Sequence, residues 1–223
     1  MVIMATNKQW PESLIRNFLI HIYIACAVPG LVALWMSYAF RDEGHIASAE
    51  VLVHYLAAAC LLMLAATLLI TPLSRVLAQP NLAMIRRPLG LAAFAYAFLH
   101  WLGFFYLHEF NGTAIWVAFS LNPALWTALV ALLLMVPMVL TANHQAMHDL
   151  GIWWRRIHSA IYVVALLWIY YMATSFSLTN GDRLLFSLVS VLLIWRVYHG
   201  FTTRRRVAKK LDSINTRERD DDK

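Results

Sequence analysis

The chain has 223 residues, of which 61% are hydrophobic and 13% charged, and it carries a formal net charge of +6. With a mean hydropathy of +0.62, it holds more apolar surface than one soluble core can bury, which excludes an ordinary globular enzyme and points to a helical membrane protein. The positive excess sits beside apolar runs and in the tail, where it serves topology and anionic lipid headgroups, so nucleic acid is excluded as a partner.

The pattern predicts an all-α, polytopic bundle of six transmembrane helices, at about residues 17–39, 50–72, 90–108, 122–142, 157–177 and 183–200. Each approaches the roughly 20 apolar residues needed to cross a bilayer. Residues 1–16 form a cytoplasmic N-terminal segment, 17–200 the membrane domain and 201–223 a basic cytoplasmic tail. The first run follows Lys8 and Arg16 and continues to Pro29 and Gly30 without a small-residue cleavage site, so it is expected to remain as a helix. Pro29 there and Pro137 in the fourth run predict kinks whose freed carbonyls find partners on neighbouring helices. Cys26 and Cys60 lie inside apolar runs without C-x-x-C spacing and read as packing residues. No internal repeat is visible, which argues against an inverted-repeat transporter that uses its histidines for protons.

The breaks between runs carry strong punctuation, at Arg41-Asp42-Glu43-Gly44, Gln79-Pro80-Asn81, Asn111-Gly112, Asn122-Pro123 and Asn180-Gly181-Asp182. All of the 18 lysines and arginines except Arg41 and Arg183 fall at the termini, counting Arg196 near the end of the last run, or in the gaps after the second and fourth runs. By the positive-inside rule both termini are then cytoplasmic. Arg86, Arg87, Arg155 and Arg156 satisfy that rule and could also hold the carboxylates or phosphate of a bound cofactor at the cytoplasmic mouth, because guanidinium forks match such anions. Trp153 and Trp154 read as interfacial anchors.

An imidazole inside hydrocarbon is costly, which makes His54, His100 and His158 candidate cofactor ligands. His100 lies 13 residues beyond Arg87, or about 20 Å at 1.5 Å per residue. His158 lies two residues beyond Arg156, or about 3 Å. Tyr171 follows His158 by 13 residues, a spacing that returns to nearly the same helix face and sets it level with His100. His54 descends from the outer side of the second helix to a level somewhat above His100. Histidines at two depths, among Trp101, Phe104, Phe105, Tyr106, Tyr162 and Trp168, suit b-type haems held by imidazoles on facing helices. His45 and His108 read as outer loop residues, whereas His21, His144, His148 and His199 lie near the inner face.

The segments Leu68-Leu69-Ile70-Thr71-Pro72-Leu73-Ser74-Arg75, Ile85-Arg86-Arg87-Pro88-Leu89-Gly90-Leu91 and Phe98-Leu99-His100 resemble the MsrQ (YedZ) family of ferric-reductase-like transmembrane proteins. The resemblance continues through Leu140-Thr141, Gln145-Ala146-Met147, Leu150-Gly151, Trp154-Arg155-Arg156-Ile157-His158 and Tyr162, covering about residues 50–175. It implies a multi-pass protein of the bacterial inner membrane, with one or two b-type haems. Electrons would come from a cytoplasmic flavin reductase using NAD(P)H and pass to a periplasmic molybdenum-containing methionine sulfoxide reductase. No flavin- or nicotinamide-binding domain is evident in the chain, so its donor is another protein or a small carrier, with FMN or quinone at the cytoplasmic side as candidates. His100 and His158 match family haem-ligand positions, and His54 matches a histidine opening the second helix. At Tyr171 the family has histidine. The outer haem could therefore recruit His54, keep an open site or take a tyrosine oxygen. His21 or His199 could partner His158. The alternative function is a ferric or quinone reductase that reacts at its own outer haem.

Overall fold

The computed structural model describes residues 11–39, 45–175, 180–181, 183–195 and 198. The predicted tail and His199 lie outside these, as does most of the N-terminal segment; for His45 only the backbone is described. Among the described residues the regular structure is entirely helical: α1 Glu12–Ala39, α2 His45–Val76, a 3-10 turn Pro80–Ile85, α3 Arg86–Leu107, α4 Gly112–Leu121, α5 Ala124–Leu140, α6 His144–Leu150, α7 Ile152–Ser159 and α8 Ile161–Ser175. A further apolar helix, α9, covers Arg183–Trp195.

Four stretches are long and apolar enough to cross a membrane: Ser13–Met36, Ala49–Val76, Asn81–Leu107 and Ile152–Ser175. A fifth candidate is the pair α4 and α5, bent by 108° at their junction. The chain is thus a multi-pass membrane protein with four or five such spans among the described residues. The run expected at 183–200 appears as the shorter α9, and the segment before residue 122, read in sequence as a loop, contains α4. The Asn111 side chain, which marks a turn in sequence, caps that helix by accepting from the backbone N–H of Thr113 and Ala114. Phe119 then pins α4 to the bundle, stacking on Trp101 at 5.8 Å and meeting Trp126 edge-on at 4.8 Å.

Lipid offers little hydrophobic drive between helices, so they associate where small side chains let backbones approach. The most extensive packing joins α2 to α3 and α5 to α8. Ala57, Cys60, Ala93, Ala97, Ala128, Ala131, Val164 and Ala165 on these helices are all fully buried. Gly103 marks a particularly close approach, because a Cβ there would meet the Val53 Cγ2 atom at 2.7 Å. Cys26 and Cys60 are buried free thiols, in keeping with packing roles.

At Pro29 α1 continues without a break, and that turn is supported from α3. The Tyr96 hydroxyl donates to the Cys26 carbonyl and accepts from the Gly30 N–H at 2.9 Å, bridging the turn that the proline interrupts. A neighbouring helix therefore supplies the polar partners that a proline in lipid requires.

Candidate functional site

The second helix supplies two backbone acceptors one turn apart, and each receives a side chain from a different helix. His100 of α3 donates from Nδ1 to the Val53 carbonyl at 2.9 Å. Trp168 of α8 donates from Nε1 to the Ala57 carbonyl at 3.1 Å. The Tyr171 hydroxyl, one turn beyond Trp168, donates to His100 Nε2 at 2.9 Å. The residues that counting set level with each other are thus in direct contact, and His100 and Tyr171 are only 1% and 2% exposed.

Aromatic rings close the surroundings. Trp168, Tyr171 and Trp101 meet the His100 ring edge-on at centroid distances of 5.6, 5.5 and 6.4 Å. Trp101 in turn packs on Phe104 at 5.3 Å and Phe105 at 5.7 Å. Of the aromatic residues expected around a cofactor, Trp101, Phe104 and Trp168 are buried, Phe105 and Tyr162 half-buried, and Tyr106 exposed. His54 is half-buried next to Val53. His108, at the end of α3, is half-buried and bonds back to the Phe104 carbonyl at 2.9 Å.

His158 occupies the other end of the bundle. It is half-buried near the start of the Ile152–Ser175 span, which is interrupted at Ala160 between α7 and α8. Its Nδ1 bonds the Trp154 carbonyl at 3.1 Å, and its ring stacks on that of Trp154 at 4.1 Å. Trp154 is itself fixed by donation from Nε1 to the Thr141 carbonyl at 2.9 Å. The half-buried stripe Ile157, His158, Ile161 and Tyr162 runs at helical spacing into the buried Val164, Ala165, Trp168 and Tyr171. His158 and Tyr171 on this stripe are 13 residues apart, or about 20 Å.

Among the inner histidines within the described residues, His21, His144 and His148 are exposed. His21 bonds the Asn17 carbonyl at 2.6 Å and His148 faces Asp149 at 3.5 Å. No group of three or more His, Cys, Asp or Glu side chains able to hold a metal ion occurs among the described residues. Arg86 is half-buried at the start of α3, while Arg87, Arg155 and Arg156 are exposed at the same end of the bundle. The Arg156 guanidinium lies 4.7 Å over the Trp153 ring.

The donor chemistry fits a haem better than a bare cation. With Nδ1–H donating to a carbonyl, the neutral imidazole carries its lone pair on Nε2, the form in which histidine ligates iron. This holds for His100 and for His158. A single buried imidazole walled by aromatic rings suits an iron whose other ligands come from a porphyrin. The indole Nε1 of Trp101, next to His100 in sequence, is buried and makes no hydrogen bond, leaving a donor in the same layer for a group brought by a cofactor.

Comparison with known proteins now decides the family. The profile described as ferric reductase like transmembrane component matches residues 44–169, more than half of the chain. The chain belongs to the ferric-reductase-like transmembrane family. Among relatives, it is 32% identical over 183 residues to the protein-methionine-sulfoxide reductase heme-binding subunit MsrQ of Cronobacter sakazakii, covering 78% of this chain and 88% of that one. The subunit of the same name from Rhizobium meliloti is 30% identical over 177 residues, with coverage of 78% and 81%. That from Caulobacter vibrioides is 28% identical over 192 residues, with coverage of 85% and 89%. No solved structure gives a significant match. For this family member, the profile spans α2 through most of α8 and so includes Val53, Ala57, His100, His158 and Trp168.

The residues that sequence reading missed are those acting through the backbone or through contacts between helices. The carbonyls of Val53 and Ala57 have no side-chain signature. Tyr96 had one, since it lies one turn before His100 on the buried stripe and Pro29 required a polar partner nearby.

Proposed function

We propose that the chain is the b-type haem membrane subunit of a bacterial methionine sulfoxide reductase system. It carries electrons from a cytoplasmic flavin reductase using NAD(P)H across the inner membrane to a periplasmic, molybdenum-containing methionine sulfoxide reductase. The observation that carries this reading is the buried His100, tied at Nδ1 and presenting Nε2 between α3 and α8. The shared name of the relatives, a heme-binding subunit of that reductase, supports the same cofactor and partner.

In this reading the domain crosses the membrane six times, α9 belonging to the sixth span and both termini facing the cytoplasm. Bound haem supplies reversible one-electron exchange at iron. His100 holds the outer haem and His158 the inner one, if both are loaded, at levels about 20 Å apart along the helix. His54 borders the outer haem. The dry packing of Trp101, Trp168 and Met172 around the outer level excludes water, which keeps the iron from exchanging with solvent. Arg86, Arg87, Arg155 and Arg156 supply guanidinium donors at the cytoplasmic mouth for haem propionates or for the phosphate of an FMN donor; a quinone there would serve as an alternative small donor.

Vesicles containing the haem-loaded chain, with flavin reductase and NADH inside, test this directly. Haem should be reduced from within and reoxidised by external methionine sulfoxide reductase with its substrate, but not by ferric chelate or quinone alone. Reoxidation by ferric chelate or quinone at equal rate would instead make the chain a terminal reductase.

A further inference from the structure

The connection from α3 to α5 contains a helix unaccompanied by charge. Between Glu109 and His144 the sequence has no acidic, basic or histidine side chain. Within that stretch α4 is bent by 108° from α5, so with α5 crossing the bilayer α4 lies close to the membrane plane. One face of α4 buries Phe119, and the other leaves Trp116, Val117 and Leu121 at 66%, 53% and 81% exposed. We infer that α4 is submerged in the leaflet remote from the arginine-rich end, with Trp116, Val117 and Leu121 seated against lipid acyl chains rather than against water or a partner protein.

Depth follows from the neighbours of α4. Phe119 packs on Trp101 at 5.8 Å and on Phe104 at 6.0 Å. Trp101 lies six residues before the end of α3 at Leu107, or about 9 Å below it. The chain returns to that depth through a tight reversal: Glu109 and Phe110 take φ of 51° and 54°, uncommon outside glycine, and the Phe110 N–H donates to the Phe105 carbonyl at 3.0 Å. A helix that rests on headgroups carries a strongly charged face. α4 has none, and a helix apolar on all sides belongs in an apolar medium.

The polar groups are satisfied internally, as hydrocarbon demands. At the break between α4 and α5, the N–H of Asn122 donates to the Ala118 carbonyl at 2.9 Å, and those of Leu125 and Trp126 donate to the Asn122 and Pro123 carbonyls at 3.1 and 3.2 Å. The Ala124 N–H donates to the Asn122 side-chain oxygen at 3.1 Å, and Pro123 has no N–H to satisfy. The Asn122 amide nitrogen donates to the Ser175 hydroxyl at 3.1 Å. The hydroxyls of Thr113, Ser120 and Thr127 donate to the Asn111 side-chain oxygen, the Trp116 carbonyl and the Ala124 carbonyl at 2.6, 2.9 and 2.7 Å. A protein-docking surface keeps a polar rim to fix its partner, whereas the side chains from Thr113 to Thr127 are either apolar or already bonded within the chain. The exposed residues Trp126, Val130 and Leu133 continue the same chemistry along α5 at helical spacing.

The test uses the full chain in lipid nanodiscs, with the buried thiols removed by Cys26→Ala and Cys60→Ala and one nitroxide-labelled cysteine added. Val117→Cys and Leu121→Cys probe α4, Leu133→Cys is the lipid reference and Glu109→Cys the water reference. Power saturation should give an oxygen-to-nickel accessibility ratio at Val117 and Leu121 that matches Leu133 and exceeds Glu109 several-fold. Ratios at the Glu109 level overturn the inference, and labels shielded from both reagents with dipolar broadening between them overturn it in favour of a second copy. On the unaltered chain, a phospholipid bearing a photoactivated diazirine on its acyl chain should cross-link within Gly112–Leu121. Cross-linking that skips this segment while marking α5 overturns the inference as well.

Discussion

His100 is positioned by the backbone of a neighbouring helix. The Val53 carbonyl fixes the tautomer, and Val53 is itself pressed against α3 at Gly103, where a methyl group would meet its Cγ2 at 2.7 Å. Val in a helix has one strongly preferred rotamer and cannot easily turn aside. Gly103→Ala is therefore expected to destabilise the bundle by about 1–3 kcal/mol through overpacking and to loosen haem, measured by thermal unfolding in detergent and by haem retained on purification. Gly90→Ala provides the opposite sign: nothing lies within 4 Å of a Cβ there, so a helical Ala should stabilise by about 0.5–1 kcal/mol. Equal effects of the two substitutions would refute the close approach at Val53. Trp168→Phe keeps the ring beside His100 but removes the bond to Ala57; the expected loss is about 0.5–1.5 kcal/mol, seen as a lower unfolding temperature with haem still bound.

Among the elements, α1 depends most visibly on a single side chain. Tyr96 bridges Cys26 and Gly30 across the Pro29 turn, so Tyr96→Phe should cost about 1–2 kcal/mol and increase proteolysis or hydrogen exchange in α1 ahead of the other helices. Uniform change across all helices would show that the bridge has no local role. The long helices were legible in sequence because apolar length is a strong signal in lipid. What escaped was finer. The ten-residue α4 is too short to register as a span, and its start at Asn111-Gly112 reads as a turn until Asn111 is seen capping it. The break at Ala160 falls inside the run read as one span, 157–177, where no proline or glycine marks it. The contact of Tyr171 with His100 was legible in outline, from their equal counts away from His158 and Arg87. The anchoring of His100 was not, since a carbonyl acceptor such as that of Val53 is present in every residue and only the helix crossing selects it.

Across the whole molecule, the candidate ligands sit at two levels joined by one continuous face of α7 and α8. His158 lies near the arginine-rich end and His100 with Tyr171 near the other, separated by 13 residues of α7 and α8, about 20 Å. That arrangement suits a conduit, in which each level hands an electron to the next and neither needs access to solvent. His158→Ala should abolish any inner haem while leaving the ferric spectrum of the outer one intact; loss of both together would mean that the levels are not independent sites. The central claim is that His100 clasps haem in the bundle, and haem quantitation on the purified, membrane-inserted chain tests it most directly. The wild type should carry at least one haem per chain, and His100→Ala should lose one while still inserting. A His100→Ala chain with undiminished haem and an unaltered spectrum would contradict the account.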